Sequence, residues 1–315
     1  MVGVHLIESL LSEPSTRVIG TRYNPTASLP EFSRPVDFRC IDVRYFRPIQ
    51  ELLQAERPDV IFHLAAQSYP NESWLRSHET LEVNCMGTLN LLDAIRQIKS
   101  DDLSYNPVIV VACSSAQYGQ TMMEARAPVS EDAAMLPLTP YGVSKVCQDL
   151  LSYQFFQSHG LKVIRARIFN TTGPHKTGDV LSDFVQRAVL KKQRPSYQFT
   201  VGNLDTVRSI TDVRDLVRAL VLLSEHGQSG EAYNICSDAT YSVMQMLETV
   251  EKVAGFPLDA IQDPALLRPT DERIIFGDSA KLRQVTGWAP VYSLLQTVSD
   301  MYDTELRKRE DANES

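Results

Sequence analysis

The sequence is short of several things, and each shortage excludes something. No stretch approaches the ~20 consecutive apolar residues that a membrane-spanning helix needs, and the N-terminus lacks the apolar core of a secretory signal. Basic residues are in the minority, 31 Lys and Arg against 39 Asp and Glu, for a formal charge of -8. An acidic chain without a basic stripe has no electrostatic footprint for nucleic acid, although local Arg and Lys can still hold a small anion. There are five cysteines, Cys40, Cys85, Cys113, Cys147 and Cys236, with no CxxC pair and no metal-ligand spacing. That argues against a zinc site or a disulfide framework. The expectation is a reduced, cytoplasmic protein whose cysteines are small buried residues. What remains is ordinary for a soluble globular chain: 43% hydrophobic and 22% charged residues over 315 positions, enough for one or two domains.

The first half alternates between two periodicities. Helical spacing of apolar residues marks 4–12, 48–56, 81–98 and 141–158, with Pro58 as a stop signal after the second. Short apolar runs at 17–20, 59–64, 108–112 and 162–166 read as strands. Buried strands separated by helices predict an α/β fold, a doubly wound parallel sheet of Rossmann type, with ligands at the carboxyl ends of the strands. After about Gly173 the alternation becomes irregular, and a smaller C-terminal substrate lobe is expected. The division is 1–172 for the sheet domain, with segments of about 203–236 returning to it, and 173–315 for the lobe. The tail from Arg307 onward is polar and expected to fray.

The chemistry starts with Tyr141-Gly-Val-Ser-Lys145. Tyrosine and lysine four apart on a helix share a face, and an ammonium beside a phenol is expected to lower its pKa, making it an acid or base near neutral pH. Alone, the spacing fits a solvated helix pair equally well. Pro140 gives that helix a sharp start. Strand 108–112 runs into Cys113-Ser114-Ser115-Ala116-Gln117-Tyr118-Gly119, which places Ser114 where this architecture does its chemistry. His63-Leu64-Ala65-Ala66-Gln67-Ser68 offers small residues after a strand, suited to close approach of a flat cofactor or to simple helix–sheet packing. Asn84 sits inside the 81–98 helix, either bridging backbone and water or kinking the helix.

Leu64-Ala65-Ala66-Gln67-Ser68, Val83-Asn84-x-x-Gly87-Thr88, Ser114-Ser115-x-x-Tyr118-Gly119 and Tyr141-x-x-x-Lys145 together resemble the extended short-chain dehydrogenase/reductases that modify nucleotide sugars. The C-terminal half is similar too, in Arg167–Pro174, Val201–Arg208, Thr211–Asp215, Leu266–Asp271 and Thr286-Gly287-Trp288-x-Pro290. Within that superfamily it most resembles the GDP-4-dehydro-6-deoxy-D-mannose reductases, near relatives of the GDP-mannose 4,6-dehydratases. Dehydratases carry an acid just after the active-site Ser or Thr. Here Ser115, Ala116 and Gln117 occupy those places, which points to ketone reduction.

The resemblance implies NADPH-dependent reduction of the 4-keto group of a GDP-4-keto-6-deoxyhexose, with Ser114, Tyr141 and Lys145 as catalytic residues. A 4,6-dehydratase or an epimerase is the alternative. It also implies cofactor contacts from Gly3, Leu64, Ala65, Ala66, Tyr141 and Lys145, with Asp42 and Val43 beside the adenine. Arg22, at the end of its strand, suits a 2′-phosphate and hence NADP(H). Gln67, Ser68, Ser115, Asn170 and Asn203 are implied substrate contacts, with Arg208 and Arg268 on the diphosphate. Pairing through helices 81–98 and 141–158 would give a homodimer with a four-helix interface. One departure stands out: Met1-Val2-Gly3-Val4 matches only the last glycine of the family's opening strand and Gly-x-x-Gly-x-x-Gly turn. A late start of the sequence and a natural short form with impaired cofactor binding, leaving a sugar-nucleotide-binding subunit, are both consistent with that.

Overall fold

The structure is a computed structural model that describes residues 1–24, 29–266 and 274–314. The chain opens in α1 (Val2–Leu11), followed by β1 (Ile19–Arg22), β2 (Asp37–Cys40), α2 (Phe46–Glu56) and β3 (Val60–His63). A short helix, α3 (Ser77–Leu81), runs through a π turn (Glu82–Met86) into α4 (Gly87–Asp101). Next come β4 (Val108–Ser114), α5 (Gln120–Glu124), α6 (Pro140–His159), β5 (Lys162–Ile168) and β6 (Thr171–Thr172). The remainder holds α7 (Val180–Gln193), β7 (Thr200–Val201), β8 (Val207–Ser209), β9 (Thr211–Asp212), α8 (Val213–His226), β10 (Ala232–Ile235), β11 (Thr240–Ser242), α9 (Val243–Ala254), β12 (Ile261–Gln262), β13 (Ile274–Ile275), α10 (Ala280–Thr286) and α11 (Leu294–Glu314).

The main sheet is parallel throughout, in the order β10-β5-β4-β3. Its central strand explains itself. Ile109, Val110 and Val111 of β4 have no exposed surface, because alternate side chains enter two different cores. Ile109, Val111 and Cys113 pack with Ile49, Leu53, Leu91, Leu92 and Ile95 of α2 and α4. Val110 packs on the other face with Ile164, Leu216, Leu220, Leu223 and Trp288. Each such aliphatic side chain contributes about 1.5–3 kcal/mol relative to exposure. This is the Rossmann-like α/β arrangement. The β1–β2 pair is also parallel, but among the described residues it shares no ladder with β3.

A separate apolar core holds the C-terminal elements. Phe184 and Val185 of α7, Met246 and Leu247 of α9, and Val298, Met301 and Tyr302 of α11 close around Phe199 and Val201. Side-chain capping boxes start α7 at Asp179 and α9 at Ser242.

Two expectations are corrected. The tail is helical to Glu314 rather than frayed, and Arg309 of α11 donates to the Gln186 carbonyl at 3.3 Å. The single helix expected over 81–98 is broken into α3, a π turn and α4. The cause is Asn84, whose side chain serves a loop far away in sequence, as described next.

Candidate active site

β4 delivers Ser114 to the carboxyl end of the sheet, where its Oγ accepts a hydrogen bond from Ala116 N at 3.2 Å and closes a 3-10 turn over Ser115–Gln117. The following helix starts sharply. Thr139 Oγ1 caps it by accepting from Gly142 N at 2.9 Å, and Pro140 occupies the first turn. Gly142 permits a close approach, since a Cβ there would lie 2.7 Å from the Ala116 carbonyl oxygen. Tyr141 is thereby brought against Ser114, close enough for the hydroxyl to influence the phenol. Lys145, one turn on, stands with Nζ 5.6 Å from the centroid of the Tyr141 ring and donates to the Ala112 carbonyl at 2.7 Å.

The electrostatics differ from the sequence-based expectation. Burial pushes the Tyr141 phenol up, with the neighbouring Ser114 hydroxyl pulling the other way. Lys145 is itself lowered to about 8 by burial, and its ammonium is committed to a backbone carbonyl rather than to the phenol. The lysine therefore does not make the tyrosine acidic in this state. At neutral pH Tyr141 holds its proton, which suits a proton donor better than a base.

Asn84 organises the neighbouring wall. Its Oδ1 accepts from Gln67 N at 2.8 Å, and its Nδ2 donates to Gln67 O at 3.1 Å and to Ser144 Oγ at 2.8 Å. Ser144 Oγ in turn donates to the Tyr141 carbonyl at 2.7 Å. One buried side chain thus ties the loop after β3 to the first turns of α6, and the local π geometry accompanies that diversion. Below it, Thr88 Oγ1 donates to Asn84 O and accepts from Gln148 Nε2, both at 2.7 Å. The His63 ring lies 3.0 Å from the same oxygen, and burial lowers that histidine to about 4, so it is neutral.

Leu64, Ala65 and Ala66 are half-buried where β3 ends, and Ser68 is exposed. Gln67 Oε1 and Asn170 Nδ2, which follow the sheet strands β3 and β5, are two of the ten buried side-chain polar atoms without a partner among the described residues. Such atoms cost about 1–3 kcal/mol each unless something satisfies them, and the location of these two at the carboxyl end of the sheet makes them candidate ligand contacts. Tyr69 OH meets Thr177 Oγ1 at 3.3 Å, joining the Gln67 loop to the segment after Asn170.

Other candidates lie farther along the sheet or in the C-terminal lobe. Arg22 ends β1 with its guanidinium 5.7 Å from the Phe38 ring centroid. Asp42 is buried and gripped by Arg44, whose hydrogen bonds hold the carboxyl well below the usual range. Val43 packs where a Cβ on Gly87 would sit, and Asn90 Nδ2 binds the Val43 and Arg44 carbonyls at 3.0 and 2.9 Å. Gly3 occupies the first turn of α1 and faces open space. Asn203 accepts from Asp205 N at 2.9 Å, and Arg208 of β8 donates to the Val207 carbonyl at 2.9 Å. Arg268 lies outside the described residues.

The Thr211–Asp215 segment, one of those that resemble the family, turns its charges into the fold. Arg214 stacks 3.7 Å from the Tyr292 ring centroid and pairs with Asp300 at 2.6 Å, while Asp215 accepts from the Val291 and Tyr292 amides. Gln117 also points inward, donating to Asp149 Oδ2 at 3.2 Å. No carboxylate occupies Ser115–Gln117.

Asp149 was missed from sequence. It is fully buried on α6 and takes hydrogen bonds from Arg165 at 2.6 Å and Arg167 at 2.8 Å. Arg167 also reaches Tyr118 OH, which donates to Asn234. A signal was available: two arginines two apart on a buried strand share a face and demand an acid. The cysteine expectation held only in part, since Cys113 and Cys236 are buried while Cys85 and Cys147 are half-buried and Cys40 is exposed.

The sequence profile described as GDP-mannose 4,6 dehydratase matches residues 1–301. A GDP-6-deoxy-D-mannose reductase of Pseudomonas aeruginosa is 33% identical over 262 residues, covering 82% of this chain and 84% of that protein. The solved structure of RMD from Pseudomonas aeruginosa, complexed with NADPH, superposes with a TM-score of 0.82 at 27% identity, over 98% of this chain and 96% of that one. A UDP-glucose 4-epimerase of Thermotoga maritima, solved with UDP-glucose, shares the fold at a TM-score of 0.86 and 22% identity, over 98% and 96% of the two chains. With the motifs and the parallel sheet already in place, these matches mean that the chain belongs to the GDP-mannose 4,6 dehydratase family of extended short-chain dehydrogenase/reductases.

Proposed function

We propose that this protein reduces the 4-keto group of a GDP-4-keto-6-deoxyhexose with NADPH. The observation that carries the reading is the Ser114–Tyr141 pair at the end of β4, with a protonated phenol and no carboxylate in the adjoining turn. Elimination of water needs an acid or base beside the sugar, and reduction of a ketone needs a proton donor beside its oxygen. The site offers the second. The similarity to a reductase, and to a structure holding NADPH, supports the same choice.

The residues fit a nicotinamide dinucleotide. Ala65 and Ala66 leave room beside the sheet end, Lys145 brings a cation there, and Gln67 Oε1 and Asn170 Nδ2 await partners. When bound, NADPH supplies the hydride to C4. Tyr141 gives its phenolic proton to the C4 oxygen. Ser114 accepts from the Ala116 amide, which leaves its own proton free to donate to the same oxygen and polarise the carbonyl. Lys145 would hold the nicotinamide ribose. Arg22 would take the 2′-phosphate, and Asp42 and Val43 would flank the adenine. Gln67, Ser68, Ser115 and Asn170 contact the sugar, with Asn203, Arg208 and Arg268 toward the diphosphate. In this reading residues 1–172, with about 203–236, form the cofactor domain, and 173–315 mainly hold the sugar nucleotide.

The test follows NADPH absorbance with a GDP-4-keto-6-deoxyhexose. Turnover is expected in the native protein, falling by about 10²–10⁴ in Tyr141→Phe. An inert native protein overturns the reading. The family's name favours a dehydratase as the second reading. Cofactor retained at one per chain, with turnover on GDP-mannose and no added NADPH, would establish that instead.

The protein is further proposed to pair with a second copy. Leu81 and Met86 before α4, and Val143, Leu150 and Tyr153 on α6, are exposed apolar side chains on the helices expected at a four-helix interface. Light scattering should give twice the 35.4 kDa chain mass, and a monomer would contradict it.

A further inference from the structure

Two thiols lie where the reductase reading has no use for them. Cys85 is in the π turn, directly after Asn84, and Cys147 is on α6. The Asn84–Ser144 hydrogen bond presses the π turn onto α6. Cys85 Sγ consequently rests 3.9 Å from the Ser144 carbonyl oxygen. Ser144 and Cys147 are three apart and share a face of the helix, which sets Cys85 beside Cys147, close enough for each thiol to shift the acidity of the other. Both are half-buried, unlike the enclosed Cys113 and Cys236.

We propose that Cys85 and Cys147 form a reversible dithiol–disulfide site that fastens the π turn to α6. The oxidant is hydrogen peroxide. The Cys147 sulfur attacks one peroxide oxygen, the O–O bond breaks and the other oxygen leaves as water, giving a sulfenic acid. The Cys85 sulfur then attacks the Cys147 sulfur, the S–O bond breaks and a second water leaves. Both thiol hydrogens end in water, the pair loses two electrons and the peroxide gains two. The asymmetry of the pair sets this order. Each thiol shifts the other, Cys147 downward and Cys85 upward, and the lowered member is the better attacking thiolate. Val143 and Leu150 flank Cys147 on the face assigned to the second copy, so the smallest oxidant is the fitting one.

The native protein is treated with hydrogen peroxide, alkylated, digested without reductant and mapped by mass spectrometry. The expected product joins the Cys85 and Cys147 peptides, lowers the chain mass by two hydrogens and reverts with dithiothreitol. Cys40→Ser should leave the link intact, and Cys147→Ser should leave Cys85 alkylated. Recovery of Cys147 as a sulfinic acid, a Cys147–Cys147 link between copies, or oxidation confined to Cys40 would each overturn the proposal. The readout is mass, not turnover, so it stands or falls apart from the reductase reading.

Discussion

Lys145 offers a quantitative test of how this site is built. Its ammonium is buried, and burial lowers it from 10.5 to about 8, which corresponds to about 3 kcal/mol of unfavourable interaction for the charged form. Lys145→Met removes that cost and keeps the aliphatic volume, but it strips the Ala112 carbonyl of its donor, a loss of about 1–3 kcal/mol. The net expectation is a protein as stable as the native one at pH 7.5, or more stable by about 1 kcal/mol, with reductase activity abolished. The sign of the pH dependence follows from linkage. Between pH 8 and 10.5 the unfolded lysine binds a proton that the folded one does not, so native stability rises with pH across that window. The variant lacks the effect. Urea titrations at pH 7.5, 9 and 10.5 should therefore show native stability gaining on the variant by about 3 kcal/mol. A variant less stable by more than about 2 kcal/mol at pH 7.5, with a gap that does not change with pH, would refute the reasoning, because Lys145 would then be a well-satisfied structural cation.

Asp149→Asn should destabilise by about 3–5 kcal/mol, because it leaves the Arg165 and Arg167 guanidiniums buried without a counter-charge; the midpoint of chemical unfolding measures it. Arg22→Ala should raise the KM for NADPH roughly ten- to hundredfold and leave that for NADH unchanged, as expected for loss of a charged contact to the 2′-phosphate alone; steady-state kinetics with both cofactors decide it.

Much of the fold was legible because it rests on local pattern. The runs at β3, β4 and β5 are apolar on both faces, as a covered parallel sheet requires, and Thr139-Pro140 announces the start of α6. Ser114, Tyr141 and Lys145 could be located by architecture and spacing. Features that depend on partners distant in sequence were not legible. The π turn exists because Asn84 serves Gln67, 17 positions upstream. The phenol's acidity depends on burial and on a lysine drawn away by the Ala112 carbonyl, neither of which is encoded in Tyr-x-x-x-Lys. The structural role of Asp212 and Arg214 was hidden as well, because their partners Thr297 and Asp300 lie on α11, more than 80 positions on.

Asn90 is the latch of the corner between β2 and α2. Its side-chain amide binds the Val43 and Arg44 carbonyls, while Ile49 and Leu53 of α2 pack against α4 behind it. Shortening it to alanine would leave both carbonyls without that donor, so this one polar side chain sets how firmly Asp42 and Val43 are held.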